Sequence, residues 1–176
     1  LDELLAQAQS RLASAAGTPY AAPPEPPDEA ARLQALQRSG LLAPALRGRL
    51  DALAKRAADV FDCRGARIDL LDAEGELTHG DASAAGRPDE GEPVRGVPRA
   101  QSMAGHVVAA GGEPLVVPDV ERDARFAGNP SLVQLGARFY AGVPLSDAQQ
   151  QVLGTLCLID SRPRQLSPRD LLLLQK

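Results

Sequence analysis

Residues 138–170 read RFYAGVPLSDAQQQVLGTLCLIDSRPRQLSPRD, and the fold turns on this stretch. Two apolar runs, 138–145 and 151–160, are each long enough for a strand, and a short polar segment joins them. Phe139 and Tyr140 are neighbours on the first run, so their rings must leave the strand on opposite faces. One ring enters a core or pocket while the other meets helices. The segment SPRD then places Ser167 as a helix cap, Pro168 at the first helical position and Asp170 three residues after the cap, the start of a last helix.

Working back from the hairpin, NPSLVQLG reads as one or two helical turns opened by Pro130. EPLVVPDV is a brief strand bounded by prolines, which suits a sheet edge. SMAGHVVAAGG is a short helix stopped by Gly111 and Gly112. In ARIDLLDAEGEL, Ile68 and Leu70 alternate with Arg67 and Asp69 before a DAEG turn, the pattern of a β-hairpin. The polar, Gly- and Pro-rich residues 79–100 are expected to form an exposed, mobile loop. Within it, DEGE at 89–92 lacks the alternating oxygen ligands of a calcium loop and reads as solvated charge.

Two amphipathic helices precede the first hairpin. Leu46, Leu50, Leu53, Ala57 and Phe61 recur at helical spacing and predict one buried stripe. Earlier, DEAARLQALQRSGLL has Asp28 as a cap, Leu33 and Leu36 on the apolar side and Gly40 as a stop. Residues 1–16 carry Leu1, Leu4, Leu5 and Leu12 at helical spacing. GTPYAAPPEPP follows, whose five prolines exclude helix or central strand and leave a stiff, extended linker or wrapping arm. The expected division is therefore 1–27, a helix with a Pro-rich linker, and 28–176, one domain whose final helix is cut at LLLLQK. The chain reads as an excerpt of a longer protein.

Composition narrows the function classes. The 176 residues are 44% hydrophobic, enough for a core, but carry only 3% aromatics, no Trp and a net charge of -4. That charge argues against a nucleic-acid footprint. No stretch approaches the roughly 18 apolar residues of a membrane span, and no signal peptide opens the chain, so a cytoplasmic location is expected. Cys63 and Cys157 form neither a disulfide framework nor a CxxC metal pair. The element order, with adjacent strands and helices gathered at the ends, implies an α+β fold on a central antiparallel sheet of about five to six strands.

Four segments in register, DEAARLQALQRSGLL, EPLVVPDVERDARFAGNP, RFYAGVPL and GTLCLIDSRPRQLSP, resemble bacterial GAF domains of sensor kinases and cyclic-nucleotide enzymes, a PAS-related fold. The resemblance covers Asp28 to Lys176. It implies a sheet with the terminal helices on one face and, on the other, short helices and loops over a small pocket. Two departures stand out. Many relatives carry a Ser-aromatic-Cys-Ala-His run on the short helix, whereas SMAGH keeps Ser102 and His106 around Met103 and Ala104. Relatives also carry a Trp and a Phe after the first hairpin that are absent here, so a ligand stacked on those rings loses its platform.

The resemblance and the residue types together nominate Ser102, Met103, His106, Asp119, Arg125, Phe126, Asn129 and Tyr140 as ligand-binding candidates. Each has a structural alternative. His106 could bind a ligand or an iron, or brace the preceding loop. The run from Asp119 through Arg122, Asp123 and Arg125 to Asn129 could clamp a carboxylate or phosphate, or lock its own loop by Asx turns and ion pairs. His79 is expected at the surface. Cys157, inside a central strand, and Cys63, at a helix end with no basic partner, suit packing rather than catalysis. The leading expectation is a non-enzymatic sensory domain of a signal-transduction protein. It would bind a small molecule of unknown identity, or dimerise through its terminal helices, to control an output domain. The alternatives are a dimerisation module with a collapsed pocket, a haem or bilin sensor, and an enzyme like the free methionine sulfoxide reductases. No cofactor is named by the sequence.

Overall fold

The computed structural model describes residues 17–82 and 94–176; the helix expected over 1–16 lies outside them. Five helices are described: α1 (Glu29–Arg38), α2 (Arg47–Phe61), α3 (Met103–Ala109), α4 (Pro130–Leu135) and α5 (Pro168–Leu174). Six strands, β1 (Gly65–Leu71), β2 (Gly75–Asp81), β3 (Val94–Pro98), β4 (Leu115–Val117), β5 (Phe139–Ser146) and β6 (Val152–Asp160), form one antiparallel sheet in the order β3-β2-β1-β6-β5-β4. The fold is the expected α+β arrangement.

The hairpin at 138–160 forms the sheet's interior. Asp147 builds its turn, accepting from the N–H groups of Gln149 and Gln151, with Gln150 in the left-handed region at φ 65°. Residues of β6 pair with both β5 and β1, so every residue of β6 is buried. β4 pairs only with β5 and is the edge its prolines demand.

The two faces differ. On one, Phe139, Ala141, Val143, Leu156, Leu158, Ala66 and Ile68 pack under α2 and α5 through Ala58 and Leu174. On the other, Tyr140, Cys157 and Ile159 meet α3, α4 and the loop between β4 and α4 through Met103, Leu132 and Phe126. The adjacent rings of Phe139 and Tyr140 thus serve opposite layers, as strand alternation requires. Arg164 seals the helix layer. It donates to the carbonyls of Phe61 and Asp62 at 2.7 Å and to Asp160 at 3.0 Å, tying the end of α2 to the end of β6. α5 begins with the predicted capping box, Ser167 and Asp170 bonding reciprocally.

Three expectations need correction. Residues 79–100 are not one loop: β2 runs to Asp81, and β3 covers 94–98 along the sheet's other edge. Composition misled there because Gly80 sits where the Leu50 carbonyl leaves no space for a side chain, and Gly96 lies close against Glu76, so glycine serves packing rather than flexibility. Leu53 is not in the buried stripe of α2; it is 46% exposed, and Ala54 and Ala58 face the core instead. Small residues line that face because the helix lies close on β1 and β2, which raw hydrophobicity does not reveal. Asp28 precedes α1 but makes no side-chain cap; the helix is held instead by Arg32, buried and bonded to Glu29 and to the Leu71 carbonyl.

Candidate functional site

The site lies between the sheet and its roof, where α3, α4 and the loop between β4 and α4 cover β1, β2, β5 and β6. The pleat sends Arg67 and Asp69 of β1 to this face while Ala66, Ile68 and Leu70 go to the other. Arg67 lies beside Asp69 at 3.3 Å and donates to the Thr78 hydroxyl. Thr78 in turn donates to Asp69 at 2.6 Å, and the Cys157 thiol reaches the second Asp69 oxygen at 3.6 Å. Glu76 of β2 accepts from the Ser102 hydroxyl at 2.7 Å and from the Ala104 N–H at 3.2 Å. Ser102 also accepts from the Gly105 N–H as the cap of α3. A sheet residue is therefore bolted to the first turn of a roof helix.

Burial sets the electrostatics. Desolvation, reinforced by the negative charge of Asp69, pushes the Glu76 carboxyl up to about 7. Asp69 holds the Arg67 guanidinium firmly protonated. Burial pushes the Tyr140 hydroxyl and the Cys157 thiol far up as well, so neither ionises near neutrality. With Glu76 neutral, Arg67 and Asp69 form a balanced pair; with Glu76 ionised, the same cluster carries an excess negative charge. Arg67 Nε has no hydrogen-bond partner among the described residues.

Between this cluster and Met103, Leu132, Tyr140 and Ile159 remains a cavity of about 10 Å³. That volume is about one water. Tyr140 occupies much of the remaining room by lying along its own strand over Gly142; a Cβ at 142 would come within 2.6 Å of the Tyr140 oxygen.

The candidates from sequence divide into two groups. Met103 and Tyr140 line the cavity, Ser102 supports it through Glu76, and Phe126 is buried in the apolar cluster beside it. The others hold loops. Asp119 takes a double hydrogen bond from Arg138 at 3.0 Å, and Arg125 pairs with Asp123 at 2.7 Å while its guanidinium covers Phe126 at 4.7 Å. Asn129 caps α4 through the N–H groups of Ser131 and Leu132 and donates to the Gln101 carbonyl. His106 bonds the Ala21 carbonyl at 3.0 Å and meets Phe126 edge-on, outside the cavity. Burial lowers the His106 pKa below its ordinary value. His79, expected at the surface, is wholly buried.

Sequence reasoning missed Arg67, Asp69 and Glu76. Their alternation with apolar residues was visible, but alternation alone assigns polar positions to solvent. The usable signal is that a central strand covered on both faces has no solvent side. Cys157 packs with the roof cluster, whereas Cys63 packs with the helix layer, its thiol bonded to the Gly65 carbonyl. The sheet thus separates the environments of the two thiols.

A GAF domain profile matches residues 45–176, and the chain belongs to the GAF domain family. A cyclic di-GMP phosphodiesterase of Pseudomonas aeruginosa is 32% identical over 157 residues, which is 88% of this chain and 25% of that protein. The chain thus spans about a quarter of that relative's length. Among solved structures, the GAF domain of PixJ from Thermosynechococcus elongatus superposes with a TM-score of 0.58 at 17% identity, covering 80% of this chain and 81% of that one. Free methionine-R-sulfoxide reductase of Neisseria meningitidis gives 0.56 at 19%, covering 81% and 79%. The GAF domain of an Acinetobacter phosphoenolpyruvate-protein phosphotransferase gives 0.55 at 19%, covering 80% and 83%. At these identities the structural likeness concerns the fold. Among the described residues no helix is long and apolar enough to cross a membrane.

Proposed function

We propose that this chain is a non-enzymatic regulatory GAF domain that passes a conformational state to an attached signalling output. The output its Pseudomonas relative suggests is hydrolysis of cyclic di-GMP. One observation carries the reading: the interior site is filled by the protein's own side chains, leaving about 10 Å³. The reactive groups there are turned on one another, Arg67 on Asp69, Glu76 on Ser102 and the Cys157 thiol on Asp69. A reductase-like mechanism needs two thiols within reach of each other, and these two pack in different layers.

The output path runs through the helix layer. Leu53 and Val60 stand seven residues apart on the outer side of α2, 46% and 56% exposed, and α5 exposes Leu172 and Leu173. That spacing fits a seam against a second copy of this chain. A shift in the relative populations of two helix arrangements would then be the signal.

A second reading, small-molecule sensing, has one observation in its favour. The cavity is lined by Arg67, Asp69 and Glu76, and among the described residues Arg67 Nε has no hydrogen-bond partner. A roof that opened would present a polar site.

The test is a chimera in which residues 1–176 replace the matched region of the Pseudomonas phosphodiesterase, assayed for cyclic di-GMP hydrolysis. The reading expects activity that changes when Glu76 or the α2 seam is substituted. Activity indifferent to both would overturn it, as would hydrolysis or methionine sulfoxide reduction by residues 1–176 alone.

A further inference from the structure

The Pro-rich arm lies across the outside of the roof. Ala21 is its centre: its N–H donates to the Arg125 carbonyl at 2.7 Å, and its carbonyl accepts from His106 Nε2 at 3.0 Å. The two partners belong to different roof elements, His106 to α3 and Arg125 to the loop leading to α4. One extended residue thus staples the seam between them.

Two glycines admit the arm. A Cβ on Gly128 would overlap the Thr18 carbonyl oxygen and come within 2.6 Å of its carbon; one on Gly105 would meet the Pro23 ring at 2.7 Å. Contacts continue inward from the staple. The His106 ring abuts Phe126 with centroids 5.0 Å apart, and Phe126 packs in the cluster of Met103, Leu132 and Tyr140 that closes the cavity. The arm itself is largely exposed, with Tyr20 and Pro23 half-buried, and among the described residues its polar links to the roof are the two bonds of Ala21. Neutral hydrogen bonds at an exposed position are individually weak, and prolines limit the entropy lost on docking. Such a contact can form and release without unfolding the sheet.

We propose that residues 18–24 are a releasable strap. Docked, they hold α3 and the loop before α4 closed over the interior cavity. Released, they let the roof separate and expose the Arg67–Asp69–Glu76 cluster. The inference deepens the regulatory reading and rests on it for its biological consequence, but the strap is tested without any output activity.

Hydrogen exchange of the 176-residue chain, read by amide position, compares wild type with Gly128→Ala and Ala21→Pro. The first introduces the overlap with Thr18; the second deletes the donor at an exposed position where core packing is untouched. Exchange across residues 103–109 and 126–133 should rise about tenfold in both, while β5 and β6 keep wild-type protection. An arm that exchanges freely in Ala21→Pro over a roof with unchanged protection would overturn the proposal. So would an Ala21 amide still protected in Gly128→Ala. Should Gly128→Ala lose protection throughout, Ala21→Pro alone decides. A roof that loosens as expected while the chimera's activity stays constant would instead count against the regulatory reading.

Discussion

Glu76→Gln isolates the proton held inside the site. The folded-state carboxyl titrates at about 7 against an ordinary 4.5, because burial and the neighbouring charge of Asp69 disfavour its ionised form. Between those values the folded chain binds a proton that the unfolded chain has released. Stability from this group is therefore complete below the lower value and is lost as pH rises through the upper one. The full difference amounts to about 3 kcal/mol, and the part lost between about pH 5.5 and about pH 8 is about 2 kcal/mol. Glutamine keeps a carbonyl oxygen to accept from Ser102 and Ala104 but has no proton to lose. His106, lowered chiefly by burial, works in the opposite direction, costing stability as pH falls below its ordinary value, and does so equally in both proteins. Urea unfolding followed by circular dichroism at the two pH values should show the wild type losing about 2 kcal/mol more than the variant. Parallel pH dependence in the two proteins would refute the reasoning, because Glu76 would then ionise in the fold as it does in water.

Glu29 joins Arg32 and Arg99 at 2.7 and 2.6 Å beside the sheet, and Arg32 is nearly inaccessible. Glu29→Ala should cost about 3 kcal/mol by stranding a buried guanidinium, read as a lower urea midpoint at unchanged slope. A loss below about 0.5 kcal/mol would show the pair idle. Burial raises the pKa of both thiols, so a thiol reagent should label Cys63 slowly and Cys157 only on unfolding; prompt labelling of Cys157 in the native protein would contradict the packed roof. Leu53→Lys with Val60→Lys should convert a dimer to a monomer by light scattering, and a monomeric wild type would remove the proposed seam.

The hairpin at 138–160 was legible because its strands are long and apolar, joined by a short polar segment and followed by the Ser167 cap, local signals that tertiary packing does not override. The edge strand 115–117 and the helix opened by Pro130 were legible for the same reason, each being encoded within a few residues, whereas the capping role of Asn129 was not read from the sequence. The candidate site was legible only in part. Ser102, Met103 and Tyr140 were marked by their segments, but the polar cluster they meet is assembled across β1, β2 and β6, and no local pattern reports which face of a buried strand holds its charges. His106 and Arg125 were singled out for their chemistry. Their partner is the Pro-rich arm, a contact between residues about a hundred positions apart that periodicity cannot register.

The central claim is that the interior of this GAF domain is closed on its own side chains. Native mass spectrometry of the chain as purified tests it most directly. The account predicts the mass of the polypeptide and its multiples alone. An adduct of small-molecule mass that disappears when Tyr140 or Met103 is replaced would contradict it.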